Sequence, residues 1–423
     1  MTSPYRKHSR ILTASLTGTA VEFYDFYVFA TATALVFGQL FFPQSSPQAQ
    51  GIQAFMVFGI AFLARPVGAI AFGHFGDRIG RKATLVASLL LMGGSTLLIA
   101  FLPSYAQAGF VAPLLLCVLR FGQGFGLGGE WGGAALLAVE NAPKGWESRF
   151  GAAPQFGVPA GLFIANAVFL LLGAVLTDEQ FLAWGWRVPF LLSAVLVVIG
   201  LYVRKKIGET PEFQAAIARE APERVPIATL FTRYPGALLA GSAAVLAGFS
   251  TFYLATAWAL SETTGPQGFS RTTMLGWQML ANLTMACGIV ASVTLADRTT
   301  PARALSIGAV TLVVSGLVFG PGLSTGSATV AGITCCATMF FMGLVNGPTP
   351  SFQAQLFPVR MRYSGMSFNY NFGGMIGGAA TPLAATMISA SGAVRWVGAI
   401  MVVTGLLSFI GFVRAPRADP YGQ

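Results

Sequence analysis

Long apolar stretches, separated by short polar connections, run along almost the whole chain from Ile11 to Arg414. Each is longer than the roughly 18 to 20 residues that a helix needs to cross a hydrocarbon core about 30 Å thick. The pattern predicts an all-α membrane protein with twelve transmembrane helices. We place these helices at residues 11–42, 51–76, 83–103, 109–139, 150–176, 183–204, 235–261, 270–296, 302–321, 327–348, 364–390 and 394–414.

One connection, between the sixth and seventh predicted helices, is longer and more charged than the others. It divides the chain into a six-helix bundle at 1–204, a cytoplasmic connecting loop at 205–234 and a second six-helix bundle at 235–423. The halves are related, because Asp77-Arg78 after the second helix returns as Asp297-Arg298 after the eighth. Duplicated halves with a site between them near the membrane midplane are a common transporter architecture.

Composition and charge agree with lipid as the main solvent of the chain. Hydrophobic residues make up 54% and charged residues only 9%, so a soluble chain of this kind would expose large apolar patches. The net charge of +10 does not indicate nucleic acid, because the Lys and Arg residues fall in the termini and in alternate connections. By the positive-inside rule both termini are cytoplasmic. We predict a multi-pass inner-membrane protein, monomeric, whose partner is the lipid bilayer.

Neither metal nor cofactor chemistry is indicated. The four cysteines lie inside apolar stretches without CxxC or Cys/His spacing, and the two histidines, His8 and His74, lie outside the predicted core. No Ser/His/Asp constellation is present in the sequence, so we predict no enzymatic activity and no cofactor. Residues 124–129 fit G-x-G-x-x-G, but no strand precedes them, and we interpret the glycines as helix packing.

Five Asp, Glu and Arg residues lie well away from the ends of the predicted helices, all in the N-terminal half: Glu22, Asp25, Arg65, Arg120 and Glu130. Each charge costs at least about 2.5 kcal/mol to insert unless it is paired or faces water. Asp25, Arg65 and Arg120 reach comparable depths near the midplane, and they predict a cluster of acids and bases. The alternative is that these residues form structural ion pairs that lock the N-terminal bundle.

The C-terminal half offers polar rather than charged candidates. Most polar groups in membrane helices only join neighbouring helices, and we expect about three of the nine to contact substrate. The nine are Tyr253, Thr256, Trp258, Gln278, Asn282, Asn346, Asn369, Tyr370 and Asn371.

A glycine-rich basic turn follows the second helix, at Gly73-His74-Phe75-Gly76-Asp77-Arg78-Ile79-Gly80-Arg81-Lys82. It resembles the cytoplasmic loop signature of the major facilitator superfamily, and Asp297-Arg298 stands where that family repeats it. Within the superfamily, the chain resembles the metabolite:H+ symporters, and most of all their shikimate transporter branch, over essentially its whole length. The strings that carry this resemblance include Val21-Glu22-Phe23-Tyr24-Asp25-Phe26, Leu63-Ala64-Arg65-Pro66, Arg120-Phe121-Gly122-Gln123-Gly124 and Gly128-Gly129-Glu130-Trp131. One departure is Gln355, where the family commonly has Glu.

The resemblance implies proton-coupled symport of a small organic acid by alternating access. Asp25 is the leading proton carrier, with Glu22 as its rival and Arg120 as a coupling residue. Two midplane arginines leave room for a substrate carboxylate, which Arg binds through two parallel hydrogen bonds. The predicted substrate-binding residues are Arg65, Arg120, Gln123, Tyr253, Trp258, Gln278, Asn282, Asn346, Asn369 and Tyr370. The predicted cytoplasmic gate comprises Gly73, Asp77, Arg78, Gly80, Arg81, Glu130, Glu140, Asp297 and Arg298.

Three alternatives stay open from the sequence. A symporter of a zwitterion such as proline or betaine and an exchanger both fit the same helix pattern. A non-transporting membrane sensor that binds a solute is the alternative from a different class.

Overall fold

The computed structural model describes residues 4–79, 81–128, 131–206, 226–358 and 361–416. This part of the chain is almost entirely helical and forms twelve long helices, as predicted. In the N-terminal half they are α1 (Pro4–Ala32, Thr33–Phe37 and Gly38–Phe41), α2 (Pro47–Ile79), α3 (Arg81–Ile99), α4 (Val111–Leu127 and Trp131–Glu140), α5 (Glu147–Val175) and α6 (Val188–Lys206). In the C-terminal half they are α7 (Pro235–Tyr253, Leu254–Trp258 and Ala259–Thr264), α8 (Arg271–Arg298), α9 (Pro301–Leu323), α10 (Ala328–Asn346 and Thr349–Ala354), α11 (Arg362–Gly374, Met375–Ala380 and Thr381–Ala390) and α12 (Gly398–Arg414).

Short helices occupy several of the connections. They are Tyr105–Ala108, Asp178–Ala183, Gly185–Arg187, Pro226–Arg233 and Val394–Trp396. The last residues of the predicted 205–234 loop are therefore helical, while most of that loop lies outside the described residues. The domain boundaries at 204 and 235 stay a prediction.

Hydropathy alone recovers most of the spans. Eight helices in the described part are long and apolar enough to cross a membrane, and α3, α4 and α6 contain shorter apolar segments. Helix α11 fails the same measure because its first segment, Arg362–Gly374, holds several polar side chains that are buried in the protein. Large apolar side chains such as Leu63, Ile70 and Leu317 are more than half exposed, as expected for surfaces that face lipid.

Helices α2 and α4 cross with their backbones almost in contact. A Cβ atom added to Gly68 would lie 2.0 Å from the carbonyl oxygen of Phe125, and one added to Gly128 would lie 2.1 Å from that of Arg65. Only glycine permits such an approach, which is a common way for membrane helices to gain van der Waals contact.

The C-terminal half repeats this crossing between α8 and α10. A Cβ atom on Gly288 would lie 2.1 Å from the carbonyl oxygen of Phe340, and one on Gly343 would lie 2.2 Å from that of Met285. The matched positions are 220 residues apart on α2 and α8 and 215 apart on α4 and α10. The two halves are therefore repeats in packing as well as in sequence.

Wide helical turns also recur in equivalent helices. Thr33–Phe37 in α1 and Leu254–Trp258 in α7 both adopt the π form, with the second lying 221 residues after the first. A third π turn, Met375–Ala380, interrupts α11. Such turns release backbone carbonyls from the regular ladder and are frequent at functional sites.

We predict that Gly288→Ala lowers the stability of the folded protein by about 1 to 3 kcal/mol, because the new methyl group would overlap the Phe340 carbonyl and force α8 and α10 apart. The measurement is thermal unfolding of the purified protein. Gly276→Ala on the same helix is the matched control, since a Cβ there has nothing within 4 Å. Equal melting temperatures for the two variants would contradict the packing argument.

Candidate functional site

The centre of the N-terminal half holds two buried arginines in an aromatic cage. Arg65 on α2 and Arg120 on α4 are 2% and 0% exposed. Their guanidinium carbons lie 4.6 and 4.2 Å from the centre of the same ring, that of Phe26. Arg120 also lies 4.0 Å from the Phe29 ring and 4.9 Å from the Phe58 ring. Cation–π contacts stabilise a guanidinium in such a cage but do not neutralise its charge.

A chain of polar side chains leads from Arg120 to Asp25. The Arg120 Nη1 group donates to Gln123 Oε1 at 3.0 Å, and Gln123 Nε2 donates to Thr96 Oγ1 at 2.8 Å. The Thr96 side chain in turn lies beside the Asp25 carboxyl group. The two predicted members of the cluster are thus connected through Gln123 and Thr96, and the described residues contain no direct ion pair between Asp25 and either arginine.

Both carboxyl groups predicted for proton coupling are buried. Asp25 is 0% exposed, and neither of its oxygens has a hydrogen-bond partner among the described residues. Glu22, one turn earlier on α1, is 7% exposed and lies close enough to Tyr370 on α11 to interact electrostatically. The first acid therefore faces the interior of the N-terminal half, and the second faces the C-terminal half.

Three tyrosines lie near the arginines at the interface between the halves. Tyr27, Tyr253 and Tyr370 all lie within electrostatic range of Arg65, and Tyr253 also lies within range of Arg120. Tyr253 and Tyr370 come from α7 and α11, so the C-terminal half supplies two of the three phenol groups. Of the residues predicted in the C-terminal half, these two tyrosines lie within electrostatic range of the arginines.

Two small cavities lie between the halves, one on each side of Tyr27. The first is lined by Thr31, Asn166, Thr256 and Gln278 among others. The second is more aromatic and includes Tyr253, Asn346 and Tyr370. Neither Arg65 nor Arg120 lines either cavity. The rings of tyrosines and phenylalanines lie between the arginines and the cavities.

The structure places the remaining predicted substrate residues differently. Asn282 lies one turn beyond Gln278 on α8, and neither of its amide atoms has a partner in the described part of the chain. Trp258 packs against Phe319 within the C-terminal half, with ring centres 6.2 Å apart. Asn369 bonds to Gln353 Oε1 at 2.8 Å and to a backbone carbonyl of α7, so it holds helices of one half together. Substrate contact by these three residues stays a prediction.

Four polar residues of this region were missed by the sequence reasoning. Thr96, Gln155 and Asn166 are buried polar groups inside apolar helices, and that isolation was a usable signal. Attention to charged residues alone left them out of the N-terminal candidates. Glu262 is 5% exposed and accepts a hydrogen bond from Ser389; its helix was predicted to end at 261, three residues before its observed end at Thr264.

The halves are joined by ion pairs at the end of the bundle where α2 and α8 finish, which we call the Asp297 end. Asp297 accepts from the Ser148 backbone N–H at 3.1 Å and pairs with Arg149 at 3.2 Å. Glu140 lies 3.6 Å from Arg362. Arg298 is exposed at the last residue of α8. The side chains of Asp77, Arg78 and Arg81 and the surroundings of Gly73 lie outside the described part. The residues Gly80 and Glu130 lie outside it altogether.

Two amide groups join the halves deeper inside, in equivalent helices. Gln155 on α5 donates to the backbone oxygen of Asn346 at 2.8 Å and to its Oδ1 atom at 2.7 Å, where α10 breaks. Asn371 on α11 donates to the Gly128 carbonyl at 3.0 Å, where α4 breaks. In each contact, the side-chain amide of one half thus donates a hydrogen bond to the other half at the point where a helix of that half is interrupted. We call these two contacts the amide clamps.

The opposite end, which we call the Asp178 end, is also closed by contacts between the halves. Arg271 at the start of α8 pairs with Asp178 at 2.9 Å and lies 3.8 Å from the centre of the Phe181 ring. Arg187 instead binds two carbonyls of its own half, those of Ala183 and Leu102. Both ends are therefore held together by contacts between side chains of the two halves.

Twelve helices in two related halves, with a buried charged cluster and small cavities between them, define a membrane transporter that works by rearranging its halves. Over residues 11–230 the chain matches the family described as sugar (and other) transporter. The chain belongs to this family of the major facilitator superfamily. It is a multi-pass membrane transporter and not an enzyme.

Known relatives cover nearly the whole chain. Identity is 42% to the inner membrane metabolite transport protein YhjE of Escherichia coli K12, over 97% of this chain and 94% of that one. It is 38% to the shikimate transporter of the same organism, over 94% and 92%. It is 32% to a putative proline/betaine transporter of Staphylococcus aureus COL, over 90% and 82%. The predicted family resemblance is confirmed.

A crystal structure of a D-xylose-proton symporter superposes with a TM-score of 0.76, over 98% of this chain and 99% of the other, at 18% identity. The fold is therefore the one predicted from the sequence. At this identity the likeness concerns the fold alone.

We predict that Gln155→Leu opens the Asp297 end, because it removes the two hydrogen bonds to Asn346. A loss of about 1 kcal/mol changes the ratio of open to closed molecules roughly fivefold. Spin labels on cysteines introduced at Lys144 and Gln355, both exposed at this end, would show more long distances by pulsed electron resonance. The background would lack the four native cysteines.

Gln353→Leu is the matched control for this clamp, since the Gln353 amide donates to the Gly241 carbonyl within one half at 2.7 Å. It should lower stability without lengthening the distance between labels. If both variants gave the parent distance distribution, the Gln155 contact would have no part in closing this end.

Proposed function

We propose that the protein is a symporter that carries a small organic acid together with a proton across the bacterial inner membrane, by alternating access. The observation that carries this proposal is the balance of charge at the centre. Arg65, Arg120, Glu22 and Asp25 are all buried, and burial of an uncompensated charge costs several kcal/mol.

The four groups sum to zero when both acids are ionised. Protonation of one carboxyl group leaves one positive charge in excess, in a region where water cannot screen it. An anionic substrate would cancel that charge. Proton binding and acid binding then favour each other, and by linkage the effect is reciprocal. A zwitterion adds no net charge and gains nothing from the proton in this way.

Asp25 is the preferred proton carrier. It is fully buried, and neither of its oxygens has a hydrogen-bond partner among the described residues; Thr96, which Gln123 joins to Arg120, lies beside it. Movement of Arg120 toward a substrate would therefore change the electrostatic environment of the Asp25 carboxyl group. Glu22 is the rival, because it faces Tyr370 across the interface and moves relative to it when the halves separate.

The arginines would receive the substrate carboxylate when the tyrosines between them and the cavities move aside. Arg65 acts electrostatically on all three tyrosines, two of which belong to the opposite half. A rearrangement of the halves would thus change the access to Arg65. The relative named as a shikimate transporter supports an acid, and the relative named as a proline/betaine transporter supports a zwitterion, which is the competing substrate class.

The orientation follows from charge: the Asp297 end, both termini and the connection between α6 and α7 would face the cytoplasm. We expect a single cysteine at Gln214 to be protected from an impermeant maleimide added to intact cells and to react after lysis. Labelling in intact cells would reverse the proposed orientation. A cysteine at Asp178, at the opposite end, is the positive control.

We predict that Asp25→Asn abolishes accumulation of the acid driven by a pH gradient while exchange of bound for free substrate continues. Asparagine keeps the size of the side chain but carries no titratable proton. Uptake and exchange would be measured in proteoliposomes with and without the gradient. Glu179→Gln, at an exposed residue outside the cluster, is the control and should accumulate substrate normally. Gradient-driven accumulation at the parent rate would remove Asp25 from the role.

We predict that Arg65→Lys and Arg120→Lys each weaken binding of an acid by about 1.5 to 3 kcal/mol, because lysine cannot form the two parallel hydrogen bonds of a guanidinium. Calorimetry on purified protein would compare shikimate with betaine. Arg187→Lys, remote from the cluster, is the control. Unchanged acid affinity in both variants, or a preference for betaine in the parent, would favour the zwitterion.

A further inference from the structure

One of the two central cavities has a wall of neutral polar groups that proton coupling does not use. We call it the Gln278 pocket and define it by Tyr27 and Thr31 of α1, Asn166 of α5, Thr256 of α7 and Gln278 of α8. These helices belong to both halves. The pocket is therefore placed where a transported molecule would contact both halves at once.

Gln278 has an amide oxygen that needs a donor. Its Nε2 group donates to the Ala255 carbonyl at 2.8 Å, inside the π turn of α7. A carbonyl only accepts, so this contact determines which end of the amide is nitrogen. The Oε1 atom is therefore the free end of the amide, and it has no hydrogen-bond partner among the described residues, although the side chain is only 2% exposed. A buried acceptor left in this state costs about 1 to 3 kcal/mol.

The neighbouring residues supply both donors and acceptors. The Thr31 hydroxyl donates to Asn166 Oδ1 at 3.0 Å, which leaves the Asn166 amide hydrogens as donors toward the pocket. The Thr256 hydroxyl donates to the Phe252 carbonyl at 2.6 Å, which leaves its oxygen as an acceptor. The wall thus combines donors and acceptors within one small space.

No charged side chain lines this pocket in the described part of the chain. A second carboxylate would find no cation here, and a quaternary ammonium group would find no anion, could use none of the hydrogen-bonding groups and would contact only the Tyr27 ring. A hydroxyl group both donates and accepts, so it satisfies this wall better than either charged group does.

We propose that the Gln278 pocket binds hydroxyl groups of the substrate, and that the transported molecule is a monocarboxylate bearing hydroxyls. This inference rests on the proposed function, since the carboxylate is assigned to the arginines. Tyr27 lines the pocket and also lies within electrostatic range of Arg65, so it marks the boundary between the two ends of the bound molecule. The Gln278 pocket selects among acids by their hydroxyl groups.

The test compares shikimate, which carries three hydroxyls, with cyclohex-1-ene-1-carboxylate, which has the same ring and carboxylate and none. Both would be titrated into the purified full-length protein. A site built to bond a hydroxyl rejects the analogue that lacks it, so the parent should bind shikimate at least about tenfold more tightly. Gln278→Met and Thr256→Val should each weaken shikimate binding about fivefold to thirtyfold and change binding of the analogue less than about twofold.

Thr338→Val is the matched control, because the Thr338 hydroxyl bonds to Ser315 within one half at 2.8 Å, away from the pocket. It should leave the preference for shikimate unchanged. Thermal unfolding of every variant would show that it is folded, and Thr256→Val retains the test if Gln278→Met does not fold.

Equal affinity of the parent for the two acids would overturn this inference while leaving acid transport in place. An equal loss of affinity for both acids in Gln278→Met and Thr256→Val would assign the pocket residues to packing and would also overturn it. Binding of betaine with no binding of either acid would overturn both this inference and the proposed function.

Discussion

The structure depends on the compensation of charge in a medium that does not screen it. Two arginines and two carboxyl groups are buried at the centre of a chain whose outer surface faces lipid. The arginines are held in place by aromatic rings rather than by direct ion pairs with Asp25. Their charges remain available to the substrate and to the proton. The cluster is therefore stable only as a set, and any group that enters or leaves it changes the protonation of the others.

The rest of the architecture fits the proposed access to that cluster from one side of the membrane at a time. Glycine crossings bring α2 against α4 and α8 against α10 with their backbones almost in contact, which packs these helix pairs tightly within each half. The contacts between halves are of a different kind. They are a few ion pairs, the amide clamps and the stacked rings of Trp131 and Tyr370, whose centres are 3.6 Å apart. Dense packing within each half and a small number of polar contacts between halves are the conditions for a rearrangement of two rigid bodies.

In this family the fold and the choice of substrate depend on different residues. A D-xylose-proton symporter has the same fold at 18% identity, whereas relatives at 38% and 32% are named for an acid and for zwitterions. The side chains between the halves have to make the distinction. In this chain the proposed residues are two arginines close to three tyrosines, with a neutral polar pocket beside them.

The sequence by itself determined the twelve helices, the duplication and the identity of the charged residues. The reason is that the thickness and the apolar interior of the bilayer set the length and the hydropathy of each helix that crosses it. It also placed Tyr253 and Tyr370 among the nine polar candidates of the C-terminal half, but their proximity to the arginines was decided by the tertiary structure. The connection of Arg120 to Asp25 through Gln123 and Thr96 was decided only in the tertiary structure, as were the contacts of Gln155 and Asn371 with the opposite half. These contacts depend on how each helix is rotated about its axis and which helix lies beside it. Residues far apart in the chain set that rotation by lateral packing, and hydropathy along one helix does not encode it.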